Sequence, residues 1–114
     1  MPENAQKKSV PEYLFFYLSD FFSALSDETR LKIILSLLEG ERTVSDIVSV
    51  IGISQSAVSH QLRILRQVGI VKYRRIGRNV LYSLDDEHVR QIITKTIEHL
   101  AHRVRTPDSK VFAF

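Results

Sequence analysis

Apolar residues recur every three or four positions through most of this chain, and that rhythm gives way to a run of β-formers only once, after Gly69. A 3.6-residue period marks amphipathic helices and alternation marks half-buried strands, so the pattern predicts helices on both sides of one β-segment. The first helix, roughly 11–25, opens at Pro11 and is apolar almost all round, through Tyr13, Leu14, Phe15, Phe16, Tyr17, Leu18, Phe21 and Phe22. Of the ten aromatic residues (four Tyr and six Phe), it holds six. A domain of 114 residues covers such a helix on only part of its circumference, so the remainder is expected to meet a second copy of the chain.

A second helix is expected from Ser26 or Asp27, either of which suits an N-cap, with Leu31, Ile34, Leu35 and Leu38 at helical spacing toward Gly40. A third begins near Thr43, with Asp46 placed for a capping box, and ends by Ile51 and Gly52. Ser54 then caps a fourth, which turns Val58, Leu62, Leu65 and Val68 inward. The tight Ile51-Gly52-Ile53 link between these two helices is a helix-turn-helix pattern. Beyond Gly69, the residues Ile70, Val71, Tyr73, Ile76, Val80, Leu81 and Tyr82 flank a turn at Gly77-Arg78-Asn79, which predicts a β-hairpin. A last helix is expected from Asp85 to about Val104, with Val89, Ile92, Ile93, Ile97 and Leu100 as its apolar stripe.

The expected fold is therefore mainly α with a β-hairpin wing, a dimeric winged helix-turn-helix. The whole chain, 1–114, is read as one such domain, with a flexible arm at 1–10 and a flexible tail at 105–114. No apolar run is long enough to span a bilayer. The absence of cysteine removes disulfides and thiolate metal sites, and a cytoplasmic location is the expectation.

Charge sharpens the picture through its position. The formal net charge is only +3, yet Arg63, Arg66, Lys72, Arg74, Arg75 and Arg78 fall within one short stretch. A basic block beside a helix-turn-helix is the footprint of a nucleic-acid face. On the fourth helix Ser54, Gln55, Ser56, Ser59, His60 and Arg63 lie at its start or opposite the inward residues, where they would face the major groove of double-stranded DNA. Gln reads adenine and Arg reads guanine or holds a phosphate. Lys72, Arg74, Arg75, Arg78 and Asn79 of the hairpin would straddle the backbone, positioning more than reading.

The candidate chemistry sits on the last helix, which carries three of the four histidines. Asp86 and His88 stand at its start, His99 and His102 near its end. Taken singly, the acid caps the helix and the histidines suit its C-terminal dipole, but that leaves the joint spacing unexplained. Positions eleven apart return to nearly the same face yet lie ~16 Å apart along the axis. Ligands to one zinc sit within ~2.0–2.2 Å of it, so both pairs can share an ion only if the helix meets an antiparallel copy of itself. Three nitrogens and one oxygen suit tetrahedral Zn(II) or Co(II) better than octahedral Ni(II). Four protein ligands leave no open position for hydrolytic chemistry, so the chain is not expected to be an enzyme and no small-molecule substrate is expected.

With these residues in place, the chain resembles the ArsR/SmtB family of winged-helix metal-sensing repressors over nearly its whole length. The stretch 25–35, LSDETRLKIIL, resembles the family's second-helix signature, and 54–62, SQSAVSHQL, its recognition helix. The spacing Asp86-x-His88, then His99-x-x-His102, is similar to the C-terminal-helix site of the zinc- and cobalt-responsive branch. The resemblance implies that Asp86 and His88 of one subunit act with His99 and His102 of the other, giving two ions per dimer. It also implies a repressor that binds an imperfect inverted-repeat operator when metal-free and is released by metal. Where arsenic-, cadmium- and lead-sensing members carry paired cysteines, this chain has Thr43 and Ser45, which excludes soft-metal sensing there. The alternative is a winged-helix regulator that answers to a non-metal signal, with a structural or vestigial metal site.

Overall fold

The computed structural model describes residues 9–104. Its elements run α1 (Glu12–Leu25), α2 (Glu28–Leu37), α3 (Val44–Ile51), α4 (Gln55–Gln67), β1 (Val71–Ile76), β2 (Asn79–Leu84) and α5 (Glu87–Arg103). This is a winged helix-turn-helix. The expected tail at 105–114 lies outside the described residues, as does all of the expected arm except residues 9 and 10.

Local side-chain chemistry sets most of the boundaries. Asp27 caps α2 by accepting from the Arg30 amide, and Ser54 caps α4 through the Ala57 amide. Thr43 and Asp46 form the full capping box at α3, each side chain accepting from the other's backbone N–H at 3.1 and 3.0 Å. Gly52 closes α3 in the left-handed region, φ 81°, which L side chains rarely adopt, and so makes the turn into α4. In the wing, Ile76 pairs directly with Asn79. The loop is thus only Gly77 and Arg78, with positive φ at Gly77 alone, the II′ arrangement suited to twisted hairpins. Asn79, expected in the turn, instead opens β2.

The core is built from Ile33, Ile34 and Leu37 of α2, Ile47 of α3, Val58, Leu62 and Leu65 of α4, then Ile70, Val71, Leu84, Val89 and Ile93. The apolar face expected for α2 needs correcting. Leu31, Leu35 and Leu38 are only partly buried, whereas Ile33, Ile34 and Leu37 are fully buried and Ser36 nearly so. The reason is topological: α2 packs against α1, α3, α4 and β2 at once, so it has no single inward stripe. The buried Ser36 hydroxyl is satisfied by the Ile33 carbonyl at 2.6 Å.

Helix α1 contrasts with this. Only Ala24 is buried, while Phe16 is 76% exposed, Tyr17 68% and Phe15 57%. On α5, Val89 and Ile93 are buried but Ile92 and Leu100 of the expected stripe face outward. Large apolar side chains exposed along one helix, as on α1, mark an interaction surface.

Candidate nucleic-acid interface and metal half-sites

The helix-turn-helix presents the start of α4 to solvent. Val58, Leu62 and Leu65 are fully buried, and Gln55, Ser56, His60 and Arg63 are exposed on the opposite side. Two expected contacts are partly committed elsewhere. The Ser54 hydroxyl accepts the Ala57 amide as the helix cap, and Ser59 is half-buried. The wing continues the basic surface with exposed Lys72, Arg75, Arg78 and Asn79. Arg66 at the end of α4 stacks over the Tyr73 ring at 5.0 Å, and Tyr73 lies against Tyr82 at 5.7 Å, so the wing is braced on the helix that precedes it.

Arg74, expected to straddle the DNA backbone, is paired with a carboxylate. Its Nε and Nη2 donate in parallel to the two carboxylate oxygens of Glu41, both at 2.6 Å. That hydrogen-bonded guanidinium, with its charge and that of Lys72, holds the Glu41 carboxyl below the usual carboxylate range. Glu41 lies 33 positions away in sequence, and no periodicity could have paired it with the wing.

Position in the fold also shows how the reading helix is held. The Arg30 guanidinium on α2 donates to the Ala24 carbonyl at the end of α1, 2.8 Å, and to Gln61 Oε1 on α4, 3.1 Å. Arg90 on α5 donates to the Leu38 carbonyl at the end of α2, 2.6 Å. Neither arginine was singled out by the sequence, because each role depends on where distant segments cross.

At the start of α5, Asp86 occupies the N-cap, outside the first helical turn. One carboxylate oxygen accepts the Val89 amide at 3.0 Å, and the other lies 3.4 Å from His88 Nδ1. The Val89 amide is the main reason that the Asp86 carboxyl lies below the usual carboxylate range, with His88 contributing less. The His88 side chain is 89% exposed and that of Asp86 49%. An oxygen and an imidazole thus stand together in solvent, and His99 and His102 are exposed three residues apart near the other end of the same helix. Among the described residues, no three His, Cys, Asp or Glu side chains of one chain come together to hold a metal ion. Each end of α5 offers two donors, an incomplete set for a four-coordinate ion.

Comparison with known proteins gives a consistent result. The sequence profile of the bacterial regulatory protein, arsR family, matches residues 27–73. The chain is 49% identical over 83 residues to the transcriptional repressor SmtB homolog of Synechocystis, covering 73% of this chain and 63% of that protein. It is 45% identical over 97 residues to the cadmium resistance transcriptional regulatory protein CadC homolog of Staphylococcus aureus, covering 84% of this chain and 80% of that one. Among solved structures, the homodimeric winged helix-turn-helix DNA-binding domain of a possible ArsR-family regulator from Mycobacterium bovis superposes with a TM-score of 0.72. It is 26% identical, over 87% of this chain and 98% of that one.

Proposed function

The chain belongs to the ArsR family of bacterial regulatory proteins, and from that premise we propose that it is a cytoplasmic, homodimeric transcriptional repressor that holds operator DNA when metal-free and releases it when Zn(II) or Co(II) binds between the last helices of two subunits. The observation that carries the metal reading is the pair of exposed, incomplete donor sets at opposite ends of α5. An antiparallel α5 from a second subunit brings Asp86 and His88 beside that subunit's His99 and His102. The exposed aromatic face of α1, with Ile92 and Leu100 of α5, supplies the apolar surface on which two copies associate. A cadmium response like that in one relative's name is not carried over, since the chain has no thiolate to offer a soft metal.

The donor set fits the ion. Asp86 is anionic at neutral pH, the oxygen it does not use for the cap lies next to His88, and exposed imidazoles complete a nitrogen-rich set. When bound, the ion supplies a four-coordinate crosslink between subunits. The chain's own residues turn that crosslink into a switch. Arg90 fixes α5 to the end of α2, and Arg30 fixes α2 to Gln61 on the reading helix, so each subunit moves as a rigid unit. A changed spacing of the two α5 helices then becomes a changed spacing of the two α4 helices. DNA requires that spacing to match successive major grooves, ~34–36 Å apart. Gln55, His60 and Arg63 read base edges and phosphates, and Arg75 and Arg78 hold the backbone. Linkage makes the effect reciprocal: metal weakens DNA binding by the factor by which DNA weakens metal binding, typically ~1–3 kcal/mol.

Titrating Zn(II) into a preformed complex with the native operator, followed by fluorescence anisotropy, tests this. The expected result is release of DNA at saturating metal. An ion that raises the dimer's thermal midpoint while the DNA stays bound would instead be structural, leaving a regulator of some other signal. The Asp86 variants separate metal from fold. Asp86→Ser retains a good N-cap and is expected to keep the urea midpoint while losing metal-driven release, whereas Asp86→Ala is expected to lower both. Unimpaired release by Asp86→Ser would remove Asp86 from the ligand set.

A further inference from the structure

The wing carries four basic side chains, Lys72, Arg74, Arg75 and Arg78, and the fold treats them unequally. On β1, Arg74 shares a face with Lys72, while Arg75 projects to the other face. Arg74 gives both Nε and Nη2 to the Glu41 carboxylate, the two-pronged geometry that a phosphate would otherwise receive. Among the described residues, no carboxylate lies within ion-pair distance of Arg75 or Arg78. Glu41 is also tethered to the wing through its neighbour. The Arg42 amide donates to the Tyr82 carbonyl at 3.0 Å and the Tyr82 amide donates back at 2.8 Å, so this short segment adds a rung to the outer edge of β2. The carboxylate therefore travels with the hairpin and stays beside Arg74 wherever the wing is placed.

We propose that Glu41 is a specificity-determining residue that withholds Arg74 from the DNA backbone. The inference rests on the DNA-binding reading given above. Affinity for the duplex in general comes from cations that displace condensed counterions from phosphates. A guanidinium already neutralised by a carboxylate displaces none, and swinging it toward a phosphate leaves Glu41 uncompensated near a polyanion. Arg74 thus holds the wing on the 41–43 segment and adds nothing to sequence-independent attraction. That attraction is the component which dilutes discrimination between operator and other DNA.

Four variants test this, with affinity for operator and for unrelated duplex measured between about 50 and 200 mM salt. Glu41→Gln keeps the shape and removes the charge. It is expected to bind unrelated DNA more tightly, to steepen the slope of log affinity against log salt by about 0.9 per wing, and to lower the operator-to-unrelated ratio. Glu41→Gln combined with Arg74→Ala removes both charges and is expected to return the slope to that of the parent chain, whereas Arg74→Ala alone leaves the Glu41 carboxylate uncompensated and is expected to weaken binding to unrelated DNA. Arg75→Ala, with no such carboxylate, is expected to flatten the slope by about 0.9 per wing. Glu41, Arg74 and Arg75 are all at the surface, so thermal midpoints close to the parent's are expected. The inference is overturned if Glu41→Gln combined with Arg74→Ala flattens the slope relative to the parent chain as much as Arg75→Ala does, or if Glu41→Gln leaves it unchanged while Arg75→Ala flattens it. Parent and all variants lacking any salt-dependent DNA binding would overturn the DNA-binding reading itself, and this inference with it.

Discussion

A mixed dimer of one His88→Ala chain and one His99→Ala chain is expected to recover one tight zinc site of two, although each homodimer has lost both. In a dimer whose sites span the subunits, each site takes Asp86 and His88 from one chain and His99 and His102 from the other. Either substitution in both chains damages both sites. Mixing gathers the two lesions into one site and leaves the other whole. Removing one of four ligands should cost more than the ~10–100-fold typical of disturbing a ligand's outer-shell partner, so intact and damaged sites separate cleanly. Differently tagged chains, co-expressed and purified as the heterodimer, can be titrated against a chelating indicator. Recovery of about one ion per dimer supports the shared site; recovery of none would confine the ligands to single chains.

Lowering the pH from about 8 to 6 is expected to weaken zinc binding steeply, with more than one proton displaced per ion toward the acid end. An imidazole ligates only when unprotonated, and the proposed site contains three, from His88, His99 and His102. Asp86 contributes nothing in that range. Its carboxyl is held down chiefly by the Val89 amide, and so is ionised throughout. The sign follows from the same shift. A folded-state value depressed below the ordinary 3.8 means that Asp86 stabilises the fold above that pH, and that this contribution is lost as pH falls through the lowered value. His102→Gln removes one competing proton, so it should bind zinc more weakly and with a shallower pH dependence. Calorimetry in buffers of different ionisation enthalpy counts the protons directly. Zinc affinity that stays level from pH 8 to 6 would contradict a three-histidine site.

The sequence by itself determined the elements and their order. Helix periodicity, the caps at Asp27, Thr43 and Ser54, and the turn glycines Gly52 and Gly77 act over a few residues, and each is found where the spacing put it. The polar face of the reading helix was legible for the same reason, since a 3.6-residue period assigns sides without reference to the rest of the fold. Asp86 at the N-cap beside His88 was likewise a local property. Tertiary structure alone decided which face of α2 is deepest, because that helix is enclosed by four neighbours and its own period cannot rank them. It also decided that Arg74 meets Glu41 and that Arg30 reaches Gln61, pairs separated by 33 and 31 positions. A long charged side chain can reach several partners, and its sequence neighbourhood is silent on which distant segment will cross it. Charge counted along the chain therefore marked an exposed basic surface as a region, while only the fold could show which of its cations is already neutralised.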